Sequence, residues 1–111
     1  MTAPTREKLL EMYNWVDSFS EGLAPVEKDG KWFHIYPNGT PAYEARYDFV
    51  SVFSEGLAPV KKDGKWFHIY PNGTPAYEAR YDFVSVFSEG LAPAKKGDEY
   101  FHVHPDGTRV D

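Results

Sequence analysis

The chain has 111 residues, which is enough for one compact domain. A net charge of −5 and a pI near 5.3 disfavour binding to nucleic acids and to anionic membranes. The absence of cysteine excludes disulfides, zinc–thiolate sites and thiol nucleophiles.

The N-terminal segment predicts one helix from Thr5 to Trp15. Apolar residues recur there among charged residues at helical spacing, namely Leu9, Leu10, Met12 and Tyr13. Thr5 is a suitable N-cap residue. We therefore assign residues 1–16 to a helical cap that covers the apolar end of a repeat domain in residues 17–111.

Three copies of one unit follow, with a period of 34 residues fixed by Phe19, Phe53 and Phe87. The copies span roughly residues 19–52, 53–86 and 87–111. The first two differ only at Glu27, which is Lys61 in the second copy, whereas the third has diverged. Such uneven divergence indicates a late duplication of the middle unit, either natural or engineered.

Each unit predicts a β-meander. In the middle unit, β-branched and aromatic residues, an Asp-Gly hairpin signal and a Pro-Asn-Gly turn predict four strands, at Phe49–Phe53, Leu57–Lys62, Lys65–Tyr70 and Thr74–Tyr77. We expect positive φ at three turn glycines, Gly22, Gly56 and Gly73.

A two-residue loop at Asp63-Gly64 fixes the register of the central hairpin. It places Lys62 opposite Lys65, Val60 opposite Phe67 and Pro59 opposite His68. One face of the hairpin is then fully apolar, with Ala58, Val60, Phe67 and Ile69. The other face is mixed, with Leu57, Lys61, Trp66, His68 and Tyr70.

The predicted fold class is therefore all-β, with three tandem meanders stacked as a short solenoid-like array behind the helix. The alternative is a closed three-bladed ring, in which the segment after Thr108 pairs with the start of the chain near Leu9.

The unit resembles the bacterial WG (KWG) repeat. The resemblance rests on Phe53-Ser54-Glu55-Gly56-Leu57-Ala58, Asp63-Gly64-Lys65-Trp66, Gly73 and Tyr81-Asp82, and it covers residues 13–111. The family's usual glycine after tryptophan is replaced by Phe33 and Phe67, and Tyr100-Phe101 takes the place of the pair in the third copy. The resemblance implies all-β repeat units and, for most members, no assigned activity, and it carries no catalytic residues to transfer.

Repeated aromatic residues are the main candidates for ligand binding. They can form the core between units or an exposed face that binds a peptide or stacks on a sugar ring. The candidate ligand-binding residues are Trp32, Tyr36, Trp66, Tyr70 and His68.

Histidines suggest a weaker alternative, a metal site formed by His34, His68, His102 and His104. Ser and Glu recur at turns and form no pair of nucleophile and base, so we expect no catalysis and no cofactor.

The sequence thus predicts a non-enzymatic repeat module for protein interaction or structural scaffolding. The alternative is a carbohydrate-binding module that uses Trp32 and Trp66. Near-identical units also predict self-association through domain-swapped oligomers. Residues 1–8 contain no apolar signal segment and no apolar run approaches the ~20 residues of a membrane helix, which predicts a cytoplasmic protein.

Overall fold

Short turns fold each unit into three antiparallel strands. The computed structural model describes residues 3–110, and in that range the helix α1 spans Arg6–Met12. The strands that follow are β1 Trp15–Val16, β2 Ala24–Lys28, β3 Lys31–Ile35, β4 Phe49–Val50, β5 Ala58–Lys62, β6 Lys65–Ile69, β7 Phe83–Val84, β8 Ala92–Lys96 and β9 Glu99–Val103. They form three separate sheets with the orders β1-β2-β3, β4-β5-β6 and β7-β8-β9.

The sheets stack into an open array with extents of 48 × 27 × 19 Å. This architecture confirms the predicted all-β array of three repeats. The alternative closed ring is wrong, because Arg109 pairs with Val103 of its own unit and not with the segment near Leu9. The helix α1 instead packs against β1 of the first sheet.

The predicted hairpin register is confirmed in the middle unit. Lys62 lies opposite Lys65, Val60 opposite Phe67 and Pro59 opposite His68. Both turn residues have positive φ, 52° at Asp63 and 80° at Gly64, as a type I′ turn requires.

Three predicted elements differ from the structure by more than one residue. The helix ends at Met12 and not at Trp15, because Trp15 begins strand β1 and pairs with Glu27. The first strand of the middle unit contains only Phe49–Val50. The segment Thr74–Tyr77 is not a strand: it contributes a single bridge between Ile69 and Pro75, flanked by bonds from the Tyr70 N–H to the Thr74 carbonyl and from the Ala76 N–H to the His68 carbonyl.

Pro59 also explains why β4 is short. The N–H of Ser51 donates to the carbonyl of Pro59 at 2.9 Å. The reciprocal bond cannot form, because Pro59 lacks an N–H. The Ser51 carbonyl is therefore left free for a donor from outside its own sheet.

The core lies on the apolar face that the sequence predicts. Ala58, Val60 and Ile69 are fully buried, and Phe67 is 3% exposed. The three glycines predicted to have positive φ do so, with 83° at Gly22, 84° at Gly56 and 88° at Gly73.

At Gly73 a side chain would also meet its neighbours. A Cβ atom at this position would lie 2.5 Å from the ring of Tyr43. The carbonyl of Gly73 accepts a hydrogen bond from the Tyr47 hydroxyl at 2.7 Å. The Pro-Asn-Gly turn is thus a contact between consecutive units as well as a reversal of the chain.

Candidate functional site

A row of aromatic side chains follows one long side of the array. The row alternates between the first residue of β1, β4 and β7 and the second residue of β3, β6 and β9. We call Trp15, Trp32, Phe49, Trp66, Phe83 and Tyr100 the aromatic row. Its four inner rings contact one another in series, with centroid distances of 4.9 Å, 5.9 Å and 5.1 Å from Trp32 through to Phe83.

Strand pairing places these rings beside each other. Phe49 lies opposite Lys61, and Lys61 lies opposite Trp66 on the next strand. The indole of Trp66 then reaches Phe83 of the following unit. Phe49 and Phe83 remain 36% and 44% exposed, so the row is accessible to a partner.

A cleft of about 140 Å³ opens in the aromatic row between the second and third sheets. Rings form its sides, and serine, proline and valine residues complete it. The lining residues are Phe49, Ser51, Pro59, Trp66, Phe83, Val84 and Ser85.

Beneath the row, a buried histidine joins each unit to the next. Nε2 of His34 is 2.7 Å from the Ser51 carbonyl that Pro59 leaves free. A carbonyl can only accept, so Nε2 carries the proton and Nδ1 accepts from the Tyr43 hydroxyl at 2.6 Å. His68 makes the same two bonds with Ser85 and Tyr77.

Burial controls the protonation of these groups. Both His34 and His68 are fully buried, and desolvation lowers the pKa of each to about 4, although the bonds to Ser51 and Ser85 oppose the shift. Burial also raises the pKa of Tyr43 and of Tyr77 far above the usual range. The network is therefore neutral at physiological pH.

The family follows from a comparison with protein-family models. The model described as WG containing repeat matches residues 9–32, 37–66 and 71–100, which together cover more than half of the chain. The chain belongs to this family of WG repeats. No curated protein and no solved structure matched it.

The WG units as matched end at Trp32, Trp66 and Tyr100, all of which belong to the aromatic row. The second and third begin in the linker of the preceding unit and so include the residues that join two sheets, whereas the first begins within α1. Asp82, one of the residues on which the WG resemblance rests, lies in the chain that joins the second sheet to the third. Asp82 accepts from Lys65 at 2.8 Å and from the Gly97 N–H at 2.7 Å, and these bonds lower the pKa of its carboxyl.

The candidate ligand residues of the WG array occupy three different environments. Trp32 and Trp66 are half-buried members of the aromatic row. Tyr36 and Tyr70 are 45% and 46% exposed beside the Pro-Asn-Gly turns, and they do not line the cleft. His68 is inaccessible to a ligand, because it is fully buried and both ring nitrogens are hydrogen-bonded.

The structure does not bring the four histidines together. His34 and His68 use both ring nitrogens within the network, whereas His102 and His104 are exposed on the third unit. Within residues 3–110, no group of three His, Cys, Asp or Glu residues is arranged to hold a metal ion. In the same range, no helix has the length and apolar character needed to span a bilayer.

Stacked arginines on a different side of the array are a feature that the sequence reasoning missed. The guanidinium groups of Arg46, Arg80 and Arg109 lie 3.7 Å, 3.8 Å and 3.9 Å from the ring centroids of Phe33, Phe67 and Phe101. Arg80 also donates to three successive carbonyls of its own linker, which makes it a structural residue. Arg46 and Arg80 recur with the 34-residue period of the repeat, and this recurrence was the sequence signal that could have identified them.

Proposed function

We propose that this WG array is a non-enzymatic module for protein interaction, and that the aromatic row is its contact surface. The observation that carries the proposal is the series of four touching rings, Trp32 to Phe83, which stays accessible along the array. Tryptophan, tyrosine and phenylalanine are enriched at protein interfaces, where a few of them supply most of the binding free energy.

The remaining polar groups support a binding role over catalysis. Among the described residues, the groups with the largest pKa shifts are the buried histidine–tyrosine pairs, and these lie inside the joints between units. Each pair satisfies its own hydrogen bonds and faces no cleft. A structural role accounts for them fully.

A matched pair of variants tests the proposal. The first, Phe49→Ser with Phe83→Ser, removes two exposed rings from the row. The control, Tyr36→Ser with Tyr70→Ser, removes two tyrosines of similar exposure that lie outside the cleft. Wild-type protein and both variants would be immobilised and exposed to lysate of the source cell. We expect the control to retain the proteins that wild type binds and the row variant to lose them.

Equal retention by the row variant and the control would contradict the proposal. Circular dichroism and thermal melting would be used to check that both variants keep the fold. If only the control variant failed to retain these proteins, the contact surface would instead lie at the Pro-Asn-Gly turns.

The alternative function is carbohydrate binding by Trp32 and Trp66. The cleft beside Trp66 favours it, because a sugar ring could stack on an indole there. Phe49 and Phe83 pack on Trp66 and leave little free ring face, which is why we prefer a protein partner. Glycan-array signals that disappear in Trp66→Ala would favour the carbohydrate; an array without signals would count against it.

A further inference from the structure

The two junctions between consecutive units are built from the same contacts, one period apart. At the first junction, Ser20 Oγ donates to the Phe53 carbonyl at 2.7 Å. The Glu21 carboxylate accepts from the N–H of Glu55 at 2.6 Å and from the N–H of Gly56 at 2.9 Å. The second junction repeats these bonds with Ser54, Glu55, Phe87, Glu89 and Gly90.

A phenylalanine completes each junction. The ring of Phe53 lies 4.5 Å from that of His34, and the ring of Phe87 lies 4.5 Å from that of His68. Both phenylalanines are only 1% exposed. Each junction therefore has two complementary halves. The earlier unit supplies serine, glutamate and histidine, and the later unit supplies a phenylalanine and a left-handed turn.

Within residues 3–110, each end of the array carries one half of a junction that no neighbouring unit covers. The third unit presents Ser88, Glu89 and the exposed His102, which correspond to Ser54, Glu55 and His68. The first unit presents Phe19, which is 40% exposed. The turn of the first unit has φ angles of 54° at Glu21 and 83° at Gly22. The corresponding turn of the second unit, which binds a carboxylate at the first junction, has φ angles of 54° at Glu55 and 84° at Gly56.

We propose that two copies of the chain bind head to tail, with the third unit of one copy docked on the first unit of the other. Glu89 of one copy then accepts from the N–H groups of Glu21 and Gly22 of the other, and Phe19 packs against His102. The contact is heterologous and leaves one free end on each side, so further copies can extend the array. The partner that fits these surfaces is a second copy of this chain.

The contact between copies lacks two features of the interior junctions. Leu9 takes the place of Tyr43, so no hydroxyl is available for Nδ1 of His102. Arg6 of α1 already donates to the carbonyls of Val16 and Asp17, and Asp17 corresponds to Ser51, the acceptor for His34. The glutamate–turn contact and the phenylalanine packing therefore carry the association, which we expect to be weaker than the interior junctions.

Sedimentation velocity over a concentration series up to ~1 mM tests the proposal. We expect wild type to form oligomers that lengthen with concentration. Phe19→Ser and Glu89→Ala should each weaken self-association about ten-fold or more, because each removes a main contact from one end. Phe19 is 40% exposed, and the Glu89 carboxylate accepts no hydrogen bond within the described chain. Both variants should therefore melt like wild type.

Mixing the two variants distinguishes head-to-tail binding from other modes. Phe19→Ser keeps an intact third-unit end, and Glu89→Ala keeps an intact first-unit end. An equimolar mixture should therefore form one-to-one dimers and nothing longer. Wild type that stays monomeric throughout would overturn the proposal. So would oligomers unaffected by both variants, which is the result expected of domain swapping, or a mixture that behaves like its components.

Discussion

His68 and His102 occupy equivalent positions in equivalent hairpins, and their surroundings differ completely. Each lies opposite a proline, Pro59 or Pro93, on the neighbouring strand. Yet His68 is fully buried with two hydrogen bonds, whereas His102 is exposed. Since the strands are alike, the difference comes from the chain that follows the hairpin: the linker supplies Tyr77, and the start of the next sheet supplies Ser85 and Phe87 to His68. The burial of this histidine is a property of the junction and not of the hairpin that carries it.

The phenylalanines that begin each unit give the largest expected contrast. Phe53→Ala should lower the free energy of unfolding by about 3–5 kcal/mol, because it leaves a cavity against His34. Phe19→Ala should change it by less than about 0.5 kcal/mol, because that ring is 40% exposed. Urea denaturation of both variants measures the difference. A similar decrease in the free energy of unfolding for both variants would refute the idea that the junction buries Phe53.

The pH dependence of stability sharpens the contrast between His68 and His102. His68 stays neutral in the folded protein down to about pH 4, whereas in the unfolded chain it binds a proton below pH 6.5. The unfolded state therefore gains protons first, and stability falls as the pH drops from 6.5 towards 4. Between pH 7 and pH 5 the share of His68 is about 2 kcal/mol, and His34 should contribute similarly.

Denaturation of His68→Gln and His102→Gln at both pH values separates the two histidines. We expect His68→Gln to reduce the pH dependence and His102→Gln to preserve it. The Asp82 carboxyl, whose pKa is lowered by Lys65 and Gly97, titrates below this window and does not interfere. An equal effect of both substitutions would contradict the assignment.

Tyr77 and Tyr70 test the hydroxyl that satisfies the buried histidine. Tyr77→Phe removes the donor to Nδ1 of His68 and leaves a buried acceptor without a partner, which should cost about 1–2 kcal/mol. Tyr70→Phe removes a hydroxyl from an exposed ring and should cost less than about 0.5 kcal/mol. Thermal melting of the two variants decides between them.

The smallest contrast concerns glutamates at a junction and at an end. Glu55→Ala removes the acceptor for the N–H groups of Glu89 and Gly90. Because this contact is exposed, we expect a loss of about 1 kcal/mol or less. Glu89→Ala should leave the stability of the monomer unchanged when measured at low concentration. A larger loss for Glu89→Ala would mean that its carboxylate binds within its own unit.

Local signals in the sequence were enough to predict the hairpins. Asp63-Gly64 fixed the turn, and alternation then placed Val60 and Phe67 together on the buried face. The same alternation placed His68 on a mixed face, and its burial could not be predicted. The groups that cover it lie 9 and 17 residues further along the chain, in the linker and the next unit.

The aromatic row was predicted only in part, for a similar reason. Trp32 and Trp66 stood out as repeated tryptophans, whereas Phe49 was predicted only to begin a strand and neither it nor Phe83 was named as a ligand-binding residue. Both are exposed because side chains alternate along a strand, and in β4 and β7, which contain only two residues each, the second residue faces the core. Prolines 59 and 93 on the opposing strands shorten these elements, an effect that depends on cross-strand pairing and not on local propensity.

The glutamate, serine and phenylalanine bonds of each junction join residues 33 to 35 positions apart, whatever the position along the array. The mean sequence separation of contacts therefore does not grow as units are added, and the cost of closing each chain loop stays constant. Folding rates in small proteins fall as that separation rises relative to chain length. A longer array of the same units should thus fold no more slowly than a short one, starting in any pair of neighbouring units and spreading outwards.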